Sequence, residues 1–361
     1  MYRQGEHLKE SQDSRNSSVL LSWMERWVTA SYSNYDRIVK EMLRDKKDYS
    51  LLSYENKHIG ESAIIVGAGI SLGKLIPLLK EWKGVIFCPE SLASTLLYYG
   101  HRPEYICLFD AGVTAYKMFL KGYDWTSSTL VTHPSAAPEA IEKWKGSKIY
   151  YLMMHFAHMK EKIDQENKSL KEIEKEVKRQ VIGFDFFENI NPMVYAFIGA
   201  SILNAGCVVN NAIEIANFMG YGPLFLCGVD FGHKDWIMRY PAAKKVNGKW
   251  QKDELSYIEH EEDGKTVGET PLGREILIGD NGTPTTDEQA EYKLALLSVY
   301  KLDRPQLFDC SDGLITELPK LDIVEVVEKN GRGFENKYRT NEEIVRSADA
   351  YFNRRKTVIT E

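Results

Sequence analysis

Gly67-Ala68-Gly69-Ile70-Ser71 follows the short apolar run Ser62-Ala63-Ile64-Ile65-Val66 and precedes a stretch with helical spacing. Glycines at such a turn let the backbone bend tightly and bring its N–H groups up to an anion. Ser71 adds a hydroxyl that can cap the helix or donate to a phosphate oxygen. The chemistry favoured is the holding of a nucleotide phosphate by Gly67, Gly69 and Ser71. The commonest owners of such turns do not fit. A P-loop requires Gly-Lys-Ser/Thr, and Leu75 follows Lys74. The dinucleotide fingerprint requires glycine at position 72, which is Leu72, with the glycine displaced to Gly73. Glu90 nonetheless closes the second apolar run, about where a ribose-binding acid would stand, so an NAD or S-adenosylmethionine site stays open as an alternative. A tight turn with no ligand is the plain alternative.

Asp110 and Asp230 each end an apolar run and are each followed closely by glycine. A carboxylate at the C-terminal end of a parallel strand faces the ligand crevice, where it can hold Mg²⁺ or a hydroxyl. Asp110 is the metal candidate if Mg²⁺ is used, and capping of the next turn is the alternative for both. Gly199, Ser201 and Asn204 lie just ahead of a helical stretch carrying Asn210 and Asn211, where small and amide residues could read a base or ribose, or simply cap and pack. His233 follows Asp230 by three residues and is the candidate general base. His155 and His158 have i, i+3 spacing, but no third ligand is evident, so the spacing alone does not make a metal site.

The elements that must position these residues read as strand, turn, helix, repeated from residue 61 onward. Runs at 62–66, 85–88, 105–109, 129–132, 148–153 and 223–230 are continuous apolar strands, with helical spacing at 72–82, 92–99 and 208–219. Such alternation predicts an α/β, Rossmann-like, mainly parallel sheet with helices on both faces. Residues 1–58 form a helical N-terminal arm by period, with Tyr35, Ile38, Val39 and Met42 on one stripe. Residues 59–330 form the nucleotide-binding domain, and 331–361 a peripheral tail. Within the domain, 157–180 reads as a charged helix and 231–285 as a polar insertion, possible as a lid, with Asn247-Gly248 and Asp263-Gly264 as hairpin signals. A helix is expected over 287–302, and strands around 307–308 and 323–326.

With 46 basic and 52 acidic residues, the formal charge of −6 leaves no general basic footprint, so nucleic acid is not an expected partner. No run of about 18 apolar residues is present, so no membrane span is expected. The five cysteines are scattered through mostly apolar runs and read as buried thiols of a reducing compartment. With no apolar stretch behind a basic start, cytoplasm is the expected location.

The order of these pieces resembles the 6-hydroxymethylpterin diphosphokinase MptE-like superfamily, which includes the motility-associated (Maf) flagellin glycosyltransferases. The stretches that carry the resemblance are 63–72, Leu108-Phe109-Asp110, Gly199-Ala200-Ser201 leading into 212–220, and Leu226-Cys227-Gly228-Val229-Asp230-Phe231. A fifth, Phe308-Asp309-Cys310-Ser311-Asp312-Gly313-Leu314, resembles the segment that closes Maf-type domains. The first and fourth are also similar to bacterial CMP-sialic acid transferases. The resemblance implies that Gly67, Gly69 and Ser71 contact phosphate, that Asp110 and Ser201 contact the nucleotide, and that Asp230 lies at the pocket floor. It implies a nucleotide-dependent transferase, with a CMP-activated nonulosonic-type sugar as donor and a small molecule or protein as acceptor. The alternative within the superfamily is Mg²⁺-dependent pyrophosphate transfer from ATP. Ile70, Ala200, Asp312 and Leu314 depart from the family pattern, which has Pro, Gly, Glu and Gly there.

Overall fold

The computed structural model describes residues 26–27, 29–45, 49–112, 116–155, 198, 201–204, 207–262, 265–269, 276–279, 282–301 and 307–334. Seven parallel strands form one sheet in the order β15-β8-β1-β2-β3-β4-β5. Their ranges are β1 Ala63–Val66, β2 Val85–Pro89, β3 Tyr105–Leu108, β4 Thr129–Thr132, β5 Lys148–Tyr150, β8 Leu224–Cys227 and β15 Leu307–Asp309. The Rossmann-like α/β class is thus observed.

Every residue of β1, β3 and β8 is buried, as strands covered on both faces must be. Alternate residues serve opposite faces. Ile64 and Val66 pack with α2 (Leu72–Leu75), α3 (Glu90–Tyr98) and α4 (Pro138–Lys143), while Ala63 and Ile65 pack with α5 (Val208–Phe218) and α6 (Asp287–Lys301). Helix 29–45 joins the first layer through Tyr35, Ile38 and Met42, as its stripe predicts. Asn34 fastens it by donating 2.8 Å hydrogen bonds to the carbonyls of Pro134 and Ala136.

From β1 the chain adds β2, β3, β4 and β5 outward on one side, then returns to lay β8 and β15 on the other. The order therefore reverses between β1 and β8, and a crevice opens beyond the carboxyl ends of strands at such a reversal. That end of the sheet carries Gly67–Ser71, Glu90, Asp110 and Asp230.

Several boundaries differ from expectation, each for a local reason. The helix expected to Trp82 stops at Leu75, and a separate 3-10 turn covers Leu78–Glu81, because Pro77 has no N–H and crowds the preceding residue's helical conformation. The run 148–153 divides at Tyr151: β5 stays in the main sheet, while β6 (Leu152–His155) pairs in parallel with β7 (Ser201–Asn204) in a separate two-stranded sheet. Residues 323–326, expected as a strand, belong to helix α7 (Ile323–Glu328). Asp322 caps it by accepting the Val324 N–H at 2.9 Å, and Ile323, Val326 and Val327 form a buried i, i+3, i+4 stripe. The charged helix expected at 157–180 lies outside the described residues.

The insertion is built from hairpins. β9 (Ala243–Val246) and β10 (Lys249–Lys252) turn at Asn247-Gly248, both at positive φ of 52° and 80°, as the Asn-Gly signal predicts. The hairpin lies along α3: the Ala243 N–H donates to Thr95 Oγ1 at 2.9 Å, and Trp250 packs on Tyr98 and Tyr123. Beyond it lie the antiparallel pairs β11 (His260–Glu262) with β12 (Lys265–Val267), and β13 (Ile276–Ile278) with β14 (Pro284–Thr286).

Candidate active site at the sheet reversal

The glycine turn is tied down from below. The Gly67 N–H donates to Cys227 O at 2.8 Å and the Gly69 N–H to Gly228 O at 2.7 Å. Asp230 then accepts the Ser71 N–H at 2.9 Å on Oδ2 and the Ser71 hydroxyl on Oδ1. A Cβ on Gly69 would lie 2.3 Å from Asp230 Cγ, and one on Gly67 would lie 2.4 Å from Gly228 O. Close approach to β8 and to Asp230 is thus what these glycines permit.

The expected anion contacts at Gly67, Gly69 and Ser71 shift accordingly, since those N–H groups are spent inside the fold. The N–H groups of Ala68 and Ile70, both half-buried, have no partner among the described residues. They are the donors this turn can offer a ligand. Burial pushes the Asp230 carboxyl above its ordinary value, while the bonds from Ser71 oppose the rise. Asp230 therefore works as a clamp on the turn, and at 4% exposure it is a floor, not a group facing a substrate.

The closing segment locks this clamp. The Leu314 N–H donates to Asp230 O at 2.7 Å, and a Cβ on Gly313 would fall 2.2 Å from Asp230 Cα. Ser311 Oγ accepts the Val229 N–H at 3.0 Å, and Lys320 pairs with the buried Asp309. Phe231, next in the chain, is held at φ 47°, a conformation rare for a bulky residue and found where surrounding packing dictates it.

This geometry predicts an asymmetry at position 230. Asp230→Asn keeps both pairs, accepting from the Ser71 N–H and donating to its hydroxyl, so stability should change by no more than about 1 kcal/mol. Asp230→Ala leaves two buried donors unmet and should cost about 2 kcal/mol or more by urea denaturation. Equal losses for the two variants would contradict the clamp.

Glu90 begins α3 directly from β2 and is 8% exposed. Its Oε2 has no hydrogen-bond partner, and burial pushes its carboxyl from 4.5 up to about 7, with Asp110 raising it further and Arg239 opposing. Arg239 stands on the irregular segment that crosses from the 3-10 turn Lys234–Trp236 to β9, where the neighbouring Tyr240 N–H donates to Ala68 O at 2.8 Å. Its Nη2 is likewise buried and unbonded, and burial lowers its pKa. Sequence reasoning missed Arg239, which lies in no motif. Asp110 is half-buried beyond β3, and its Oδ1 accepts the Gly112 N–H at 2.6 Å in a local turn.

Other expected residues fare differently. His233 is 8% exposed, and its Nδ1 faces Met238 O at 3.0 Å, so that nitrogen carries the proton and the ring braces the turn. Ser201 and Asn204 are placed by their backbone on β7, paired with β6 and apart from the main sheet. Gly199 and His158 lie outside the described residues. Among the described residues, no group of three or more His, Cys, Asp or Glu is arranged to hold a metal ion. A Mg²⁺ ion arriving on a phosphate, which needs only one or two protein carboxylates, would fall to Asp110.

The sequence matches the 6-hydroxymethylpterin diphosphokinase MptE-like family over residues 32–235, more than half of the chain. The chain belongs to this family. The MptE-like match covers the glycine turn, Glu90, Asp110 and Asp230, and bears out the resemblance carried by those stretches. A solved structure, the MAf glycosyltransferase from Magnetospirillum magneticum AMB-1, is similar at 17% identity with a TM-score of 0.44. The likeness covers 84% of this chain and 41% of that one, so the chain spans about two-fifths of that protein's length. No curated protein matches the sequence.

Proposed function

We propose that this MptE-like chain is a nucleotide-dependent glycosyltransferase that takes a CMP-activated nonulosonic-type sugar and passes the sugar to a hydroxyl of a small molecule or protein. The observation that carries the reading is the closing segment 308–314, which resembles the Maf-type closure and is seated against Asp230 through Gly313 and Leu314. In this reading the N–H groups of Ala68 and Ile70 hold the donor's phosphate. Asp110 takes the proton of the acceptor hydroxyl as its oxygen bonds to the anomeric carbon. The bond from that carbon to the phosphate oxygen breaks, and its electron pair leaves on the phosphate, where fixed positive dipoles and charges favour it. Among the described residues no helix is long and apolar enough to cross a membrane.

The family's own name favours a second reading, pyrophosphate transfer from ATP to a hydroxymethyl group with Mg²⁺. The two separate by product. Incubated with a CMP-activated nonulosonic acid and a hydroxyl acceptor, the chain should release CMP, and Asp110→Asn should release it at least tenfold more slowly. Formation of AMP from ATP and a hydroxymethylpterin, without CMP release, would replace the first reading by the second.

A further inference from the structure

Two oppositely charged side chains are buried beside the glycine turn without meeting each other's needs. Glu90 Oε2 and Arg239 Nη2 are both shut off from solvent and both lack a hydrogen-bond partner. Leaving such groups unmet costs about 1–3 kcal/mol each, more when charged, so a pair of them marks a place where a ligand completes the bonding. The Arg239 main chain is held beside the glycine turn by its chain neighbour, through the Tyr240 N–H to Ala68 O bond of 2.8 Å, and its side chain lies near Glu90. Arg239 is half-buried as a residue and so is not wholly closed to solvent. Beside it, Ala68 and Ile70 present N–H groups without partners among the described residues.

We propose that Arg239 is an anion subsite of this crevice, taking a phosphate group of the bound nucleotide, and that Glu90 takes up a proton when the subsite fills. The coupling follows from the charges that surround Glu90. Its own backbone N–H and Arg239 favour its ionised form, and Asp110 disfavours it. Buried Cys88 and Cys107 lie near Glu90 as neutral thiols, their pKa values raised by burial, and Asp253 acts on Arg239 while pairing with Lys244. An anion on Arg239 cancels the one nearby charge that holds Glu90 ionised and adds a negative charge of its own, so both effects load the proton. A planar guanidinium suits phosphate better than an ammonium would, since it can donate two parallel hydrogen bonds. The inference rests on nucleotide binding but not on which group is transferred, because CMP-sugars and ATP both bring a phosphate.

Calorimetric titration with CMP and, separately, inorganic pyrophosphate tests it, run near pH 7 in two buffers of different ionisation enthalpy. The wild type should take up about half a proton more per anion bound than Glu90→Gln does, the control that subtracts protonation of the phosphate itself. Arg239→Gln should bind both probes at least tenfold more weakly, and Arg239→Lys should recover part of the loss. Arg239→Lys keeps the buried charge and serves alone if the Gln variant does not fold. Equal proton uptake by wild type and Glu90→Gln, undiminished binding by either Arg239 variant, or no binding of either probe would overturn the proposal. CMP release in the transfer assay together with any of those results would overturn this subsite and leave the transferase reading standing.

Discussion

Glu90→Gln is expected to stabilise the protein against urea by about 3 kcal/mol at about pH 8.5 and to leave its stability nearly unchanged at about pH 3.5. The carboxyl is raised from 4.5 to about 7 in the fold, so folding there favours the protonated form. Below about pH 4.5 the folded and unfolded chains both carry the proton, and the side chain has no pH-dependent effect. Between 4.5 and about 7 the unfolded chain loses its proton while the folded chain keeps it, so stability falls as pH rises through this window. Above about 7 the penalty is complete, and a neutral amide of the same shape removes it. Parallel stability profiles for the two proteins would show that Glu90 is satisfied in a way its unbonded Oε2 does not suggest. A buried acid retained at such a cost is the kind of residue kept for ligand or chemistry, not for folding.

Gly69→Ala should be among the most damaging single-methyl additions in the chain, at about 3 kcal/mol or more. The new Cβ would sit 2.3 Å from Cγ and 2.7 Å from Cβ of Asp230, and Asp230 has nowhere to go. Its carboxylate is engaged by Ser71 and its backbone is pressed by Gly313 and held by the Leu314 N–H. Gly73→Ala, four residues on within α2, is the matched control. Its Cβ meets only the edge of the Tyr240 ring, at 3.0 Å, and a helix gains from the change, so its effect should stay within about 1 kcal/mol. Denaturation midpoints of the two variants decide the matter. A mild effect at Gly69 would mean that the clamp is loose and the turn is free to take other shapes.

The main sheet was legible because each of its inner strands is apolar on both faces, a pattern that only a covered parallel sheet needs. The turn and Asp230 were legible as a pair, since both end strands. Their relation was not, because nothing in the spacing tells that β8 lies against β1 and that Asp230 spends its oxygens on Ser71. Glu90 could be found from its place after β2. Arg239 could not, since its position is set by an irregular crossing and by one backbone bond from Tyr240 to Ala68, neither of which leaves a periodic trace. His233 adds a contact that spacing does not foretell, since its Nδ1 lies 3.0 Å from Met238 O. The β-branched run at Ile323 misled because residue type suggested a strand while its 3–4 spacing and the Asp322 cap fitted a helix.

Amide hydrogen exchange at the glycine turn, with and without CMP, tests the central claim most directly. In the free protein the N–H groups of Gly67, Gly69 and Ser71 should be protected, being bonded to Cys227 O, Gly228 O and Asp230, while those of Ala68 and Ile70 should exchange fast. CMP should slow Ala68 and Ile70 by at least tenfold and change the other three little. Exchange at Ala68 and Ile70 that is unaltered by CMP, or slowed only by NAD or S-adenosylmethionine, would contradict the account.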